Sequence, residues 1–305
     1  VTQDVLLRIT SIVVLGIAAQ WAAWALRIPS ILLLLAAGIL AGPLVGFLDP
    51  DELFGPLLLP LVSLSVAVIL YEGGLSLKIR DLRGVSGVFV RLTTIGVLVS
   101  WLGAAVAAHW FLESPWPLAA LHGAILVVTG PTVIGPILRH LRLGGQAGAL
   151  LRWEGIVIDP IGATLAVMVF AAVRAGPGPQ GTTHALMDLG ETLLVGGALG
   201  TLGAIALAQA LRRFWIPDSL QNAVSLVTVF ATHTASNVLQ QEAGLLAVTV
   251  MGIILANQKW APIKHLIEFK ENLSVLLISC LFIILASRLK LEDFAGLTLG
   301  RFLFV

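Results

Sequence analysis

The chain is a succession of apolar runs, most of about 20 residues, separated by charged or Pro/Gly-rich punctuation. A helix of that length crosses the hydrocarbon core of a bilayer, and backbone in lipid must satisfy its own hydrogen bonds. The runs are Val5–Leu26, Ser30–Leu48, Leu57–Leu75, Val85–Leu112, Leu118–Leu138, Leu150–Arg174, Leu186–Leu211, Leu220–Leu239, Gly244–Asn257 and Asn272–Leu289. Another begins near Phe294. Gly244–Asn257 is short for a span and is expected to extend back into the preceding loop. Only 11% of the residues are charged, against about 25% in soluble domains. The expected fold is an all-α membrane protein, a polytopic bundle of about ten complete transmembrane helices. One transmembrane domain covers residues 1–305. The Gly/Pro-rich stretch from Ala175 to Gly181 reads as an exposed loop between six helices over 5–174 and the rest over 186–305.

The same features exclude several classes. A net charge of +1 offers no basic surface for nucleic acid. The single cysteine, Cys280, lies inside an apolar run, so neither a disulfide framework nor a cysteine metal site is expected. No cofactor is expected either. Val5–Leu26 is of spanning length and lacks the basic flank of a cleavable signal. The sequence opens on Val1 and closes at Val305 within a new apolar run, which reads as a fragment.

Lys and Arg in the loops set the orientation. With the N-terminus outside, the inner connections and their edges hold 13 of the 18 basic residues, among them Lys78, Arg80, Arg83, Arg152 and Arg212. The outer side keeps Arg8, Arg174, Arg288, Lys290 and Arg301. The acidic link from Asp49 to Glu52 falls outside. The lipid bilayer of the inner (plasma) membrane is the expected setting.

Polar residues inside the runs are the candidate site. Asp159 sits in Trp153-Glu154-Gly155-Ile156-Val157-Ile158-Asp159-Pro160, and no further charge follows up to Phe170. A carboxylate in hydrocarbon costs about 2.5–3.5 kcal/mol on insertion scales, so its default reading is an ion or proton site. The bland alternative is a buried structural hydrogen-bonding acid. Pro160 removes the helical bond to the Ile156 carbonyl, which frees that oxygen to hydrate or coordinate a cation. Glu154 lies about 7.5 Å nearer the inner end and about 140° around the helix. It reads either as an interfacial carboxylate beside Arg152 or as part of the site. The fifth run carries Thr129-Gly130-Pro131-Thr132 and then Gly135-Pro136. Two prolines at mid-depth predict a broken helix whose carbonyls face an ion, as in transporters; the simpler reading is a packed proline kink. Glu72 reads as a partner for an inner arginine, and His233 as a neutral histidine hydrogen-bonded between helices. Both are possible structural polar residues.

Thr129-Gly130-Pro131-Thr132, followed about 20 residues later by Glu154 through Pro160, resembles the monovalent cation:proton antiporters of the sodium/proton exchanger family, in their bacterial exchanger branch. The runs Leu70-Tyr71-Glu72-Gly73-Gly74, Gly252 through Asn257 and Phe269 through Leu277 are similar to it as well. The resemblance covers nearly the whole chain. It implies a secondary active antiporter that exchanges protons for Na+ or K+ by alternating access, and so a transporter rather than an enzyme. It implies an inverted-repeat fold with more helices than the ten here, truncated before the last of them, a homodimer, and in some relatives a cytoplasmic nucleotide-binding domain after the membrane part. Asp159 matches the essential cation- and proton-binding aspartate, Thr129 an oxygen at the unwound crossing, and Glu154 an acid that orders the site. Two departures stand out. Ile158 replaces the usual Asn or Asp before the aspartate, which favours electroneutral one-for-one exchange. Gly130 replaces a frequent acid, leaving the choice of Na+ or K+ open. A cation channel and an intramembrane enzyme are the competing readings. The first lacks a filter-like repeat, and the second lacks a mid-membrane partner acid for Asp159.

Overall fold

The computed structural model describes residues 2–129, 145–175, 179–261 and 263–290. Among them every regular element is helical. In chain order these are α1 (Thr2–Leu26), α2 (Ser30–Ile39), α3 (Pro50–Phe54), α4 (Leu58–Leu75), α5 (Ser86–Arg91), α6 (Val97–Phe111), α7 (Trp116–Leu126), α8 (Gly145–Ala175), α9 (Pro179–Arg212), α10 (Gln221–Leu239), α11 (Ala243–Asn257) and α12 (Lys264–Ser287). Wide turns over Leu40–Leu44 and Leu92–Gly96 extend α2 and join α5 to α6. The first has a local cause. Pro43 lacks an N–H, and Val45 N reaches the Leu40 carbonyl at 3.0 Å, one residue beyond helical spacing. Among the described residues five stretches are long and apolar enough to cross a membrane: Gln3–Leu26, Pro50–Leu75, Ser86–Phe111, Gly145–Arg174 and Met187–Arg212. Only 6% of the most apolar window of Ser86–Phe111 is buried, so that helix dissolves its apolar side chains in lipid rather than in a protein core.

Several boundaries differ from the sequence reading. Gly244–Asn257 does not run back into the loop: α11 starts at Ala243, directly after Glu242 in the left-handed region at φ 63°. The acidic link is itself a helix. Asp49 caps it by accepting from Asp51 N (3.0 Å) and Glu52 N (3.1 Å), and Pro50 occupies its first position. The helix α9 begins at Pro179, so residues 179–181 of the expected loop are helical, and residues 176–178 lie outside the described residues. α12 begins at Lys264, eight residues before the predicted Asn272. The expected break at Gly130, Pro131, Thr132 and Pro136 and the run near Phe294 lie outside the described residues.

The described residues fall into two compact units. The first combines residues 2–69 with 268–290. Its core holds Ile12, Ala19, Leu34, Ala41, Leu48 and Ile283. Gly38 admits α12 to backbone contact: a Cβ there would fall 2.6 Å from Ala286 Cβ and 2.8 Å from the Ile283 carbonyl. At one end Arg8 pairs with Glu52 (2.8 Å) and Arg288 with Asp51 (3.0 Å). These exposed pairs contribute little energy. They do place the start of α1, the acidic helix and the end of α12 at one end of the unit, as an alternating topology requires.

The second unit comprises the described residues from Leu70 to Ile267. Small residues govern its closest packing. On α9, Gly196, Gly200 and Gly203 face α10 and α11, while Gly197 meets nothing within 4 Å. Gly74 of α4 crosses Gly252 of α11, and a Cβ on Gly74 would lie 2.7 Å from the Thr249 carbonyl. Asn257 then ties the end of α11 to the chain leaving α4. Its amide nitrogen donates to the Leu77 carbonyl (2.8 Å), and its oxygen accepts from Ile79 N (2.7 Å).

Candidate functional site

The helix α8 is held by its N-terminal turns. Trp153 is buried, with its ring edge on Phe89 at 5.7 Å between centroids. Ile156 and Leu77 complete the cluster, and Gly73 of α4 leaves space for Ile156. These contacts fix the rotation of α8 about its axis. Glu154 and Ile158, four apart, lie on one face. Ile158 is buried, and Glu154 is half-buried.

The opposite wall comes from the chain leaving α7. That helix ends at Leu126, so Val128 and Thr129 are extended from it in non-helical backbone. Thr129 Oγ1 donates to Glu154 Oε1 at 2.8 Å. Two turns along α8, Gly162 presents no side chain where Val128 Cγ2 lies, so a Cβ there would clash. Positions 154, 158 and 162 thus form the stripe on which the Val128–Thr129 segment rests.

Asp159 is one residue around from this stripe, about 60° from Gly162 at 100° per residue. Its Oδ1 is buried and has no hydrogen-bond partner among the described residues. A carboxylate oxygen in that state carries the full cost of lost hydration unless a proton or cation joins it. Pro160 follows, buried within a helix that continues to Ala175. The Thr164 hydroxyl donates to the Pro160 carbonyl (2.7 Å). The Ile156 carbonyl, four residues before Pro160, loses its helical donor.

The structure therefore brings Thr129 and Glu154 together, with Asp159 on the next turn. Gly130, Pro131 and Thr132 lie outside the described residues. Glu72 and His233 are elsewhere. Glu72 is half-buried on α4. His233 is buried on α10, where its Nε2 lies 3.2 Å from Asn237 Nδ2, and Asn237 Oδ1 accepts from Gly244 N (2.8 Å). This couples α10 to α11. Sequence reasoning missed Gly162. A glycine inside an apolar helix signalled a close approach, though not by which segment.

The family model described as "Sodium/hydrogen exchanger, transmembrane" matches residues 9–305. The Na(+)/H(+) antiporter 1 of Methanocaldococcus jannaschii is 28% identical over 298 residues, 92% of this chain and 67% of that protein. The Na(+)/H(+) antiporter ApNhaP of Aphanothece halophytica is 24% identical, covering 77% of this chain and 46% of its own. A K(+)/H(+) antiporter NhaP2 from Shewanella sp. strain ANA-3 is 27% identical, covering 76% and 40%. The chain thus spans less than half the length of the last two. The solved structure of the sodium proton antiporter MjNhaP1 from M. jannaschii at pH 8 superposes with a TM-score of 0.81 at 23% identity, over 96% of this chain and 73% of that one. That likeness is one of fold.

Proposed function

We propose, from the premise that this chain belongs to the sodium/hydrogen exchanger family, that it exchanges protons for a monovalent cation, Na+ or K+, at Asp159. The observation that carries the reading is the buried Oδ1 of Asp159, which lacks a hydrogen-bond partner among the described residues of an interrupted apolar helix. A proton and a cation compete for that oxygen. Alternating access to opposite sides then converts the competition into exchange, and no enzyme chemistry is involved.

Thr129 and Glu154 supply the cation's second contact. A hydroxyl has one donor and two lone pairs. With the donor committed to Glu154, the Thr129 oxygen presents only lone pairs. Those lone pairs suit a cation, and they can also accept from the O–H of a protonated Asp159. The Ile156 carbonyl, freed by Pro160, adds another acceptor. Ile158 brings no second carboxylate, so the exchange is one for one and electroneutral. The names of the relatives, two for Na+ and one for K+, support monovalent cargo without choosing between the two ions. The proposal includes multi-pass insertion in the plasma membrane with the N-terminus outside, and a homodimeric assembly.

The test uses the full-length gene product in everted vesicles with a pH-sensitive dye. Wild type dissipates the imposed pH gradient on addition of Na+ or K+, and Asp159→Asn, which keeps the shape without the titratable oxygen, does not. Exchange by Asp159→Asn at the wild-type rate would overturn the assignment.

A further inference from the structure

The turn after α4 and the first turn of α8 enclose a cleft of about 460 Å³ that the ion site does not use. Arg80, Arg83 and Arg152 line it, with Asp81, Gln146 and Gly145. Neither the Arg8–Glu52 nor the Arg288–Asp51 ion pair involves these three arginines. Among the described residues that line the cleft, three thus carry a guanidinium group and one a carboxylate. The first backbone N–H groups of α8 lie at the same place and have no partner within their helix. Gly84, at φ 89°, turns the chain back so that Gln146 Nε2 sits 3.2 Å from where its Cβ would be. The turn and the helix start are therefore in contact, and the cleft is built from both.

The excess of basic residues at the inner end of spans accounts for Arg80, Arg83 and Arg152 being on this side. It does not account for their lining one concavity; the three side chains are exposed, so water screens their repulsion, and an anion placed among them would be attracted by all three. We propose that the cleft is a binding site for a phosphate ester. Guanidinium forks match phosphate oxygens two at a time, and the helix start adds backbone donors. The volume is that of a small-molecule site. The same chemistry is offered by an anionic lipid headgroup, since the cleft lies at the end of a spanning helix, and by a soluble phosphate compound. A ligand there would clamp the Ile79–Leu82 turn to α8, about 10 Å along that helix from Asp159. Binding itself does not depend on the role proposed for Asp159.

The experiment titrates purified full-length protein in detergent with inorganic pyrophosphate by calorimetry. In parallel, native mass spectrometry follows retention of phosphatidylglycerol against phosphatidylcholine. Saturable pyrophosphate binding identifies the soluble source, and selective retention of phosphatidylglycerol identifies the lipid. In whichever arm binds, Arg80→Gln with Arg83→Gln weakens binding at least tenfold, as loss of charge-assisted bonds implies. Asp81→Asn, which removes the opposing charge, strengthens it about threefold, an effect that misfolding does not produce. Arg212→Gln, at the end of α9, leaves it unchanged. Absence of binding in both arms, or equal affinity in the double arginine variant, overturns the proposal.

Discussion

If the Thr129 hydroxyl donates to Glu154 so that its lone pairs face a cation, removing the donor–acceptor pair weakens cation binding. Thr129→Val keeps the side-chain shape and removes the hydroxyl; Glu154→Met keeps the length and removes the acceptor. The bond is 2.8 Å long. Hydrogen bonds to charged groups contribute about 1.5–3 kcal/mol net. Thr129 is exposed and Glu154 only half-buried, so water replaces part of this. The coupling expected is about 1 kcal/mol, or roughly fivefold in apparent affinity. The assay is the cation concentration giving half-maximal dequenching of a pH dye in vesicles carrying the full-length protein, for both single variants and the double. Each single variant raises the apparent KM for Na+ or K+. The double variant raises it by about fivefold less than the product of the two. Thr129→Ser, which restores the hydroxyl, stays near wild type. If the single effects simply multiply, to within about 0.3 kcal/mol, the two side chains act independently and the bond does not order the site.

Two further predictions test the frame. Gly252→Val forces a side chain onto the Tyr71 carbonyl and the Gly74 backbone, neither of which can yield, at a cost of about 3 kcal/mol. It should lower the Tm in detergent by several degrees, while Gly103→Ala, with nothing within 4 Å, should leave it unchanged. In a Cys280→Ala background, Asp51→Cys should react with an impermeant maleimide in intact cells and Arg212→Cys only after permeabilisation; the opposite pattern would reverse the proposed orientation.

The helices were legible because lipid demands apolar length, and that demand is written residue by residue. Their ends were less so. Asp49-Pro50-Asp51-Glu52 reads as an acidic link by charge, yet it combines a cap residue, proline at the first helical position and acids in the first turn. The capping signal outweighs the charge signal here because Asp49 satisfies two backbone donors at once. α9 shows the same rule from the other side. Proline and glycine between 175 and 181 suggest a loop, but Pro179 fits a helix start as well as a turn. Composition alone does not separate the two uses.

That Asp159 is a costly buried acid was legible from its segment alone, and the structure finds its Oδ1 buried without a hydrogen-bond partner among the described residues. The bond between Thr129 and Glu154 was not, because it depends on how α8 is rotated against the non-helical segment leaving α7, between residues 25 positions apart. That rotation is fixed by residues with no chemistry of their own. Trp153 and Ile156 anchor one side of α8, and Gly162 admits Val128 on the other. The consequence is that the site's tuning is distributed. Replacing Gly162 with alanine touches neither Asp159 nor Glu154, yet it displaces Val128 and with it the oxygen of Thr129. In the proposed site the packing glycine therefore sets the position of Thr129 as directly as Glu154 does, although it contributes no charge and no hydrogen bond.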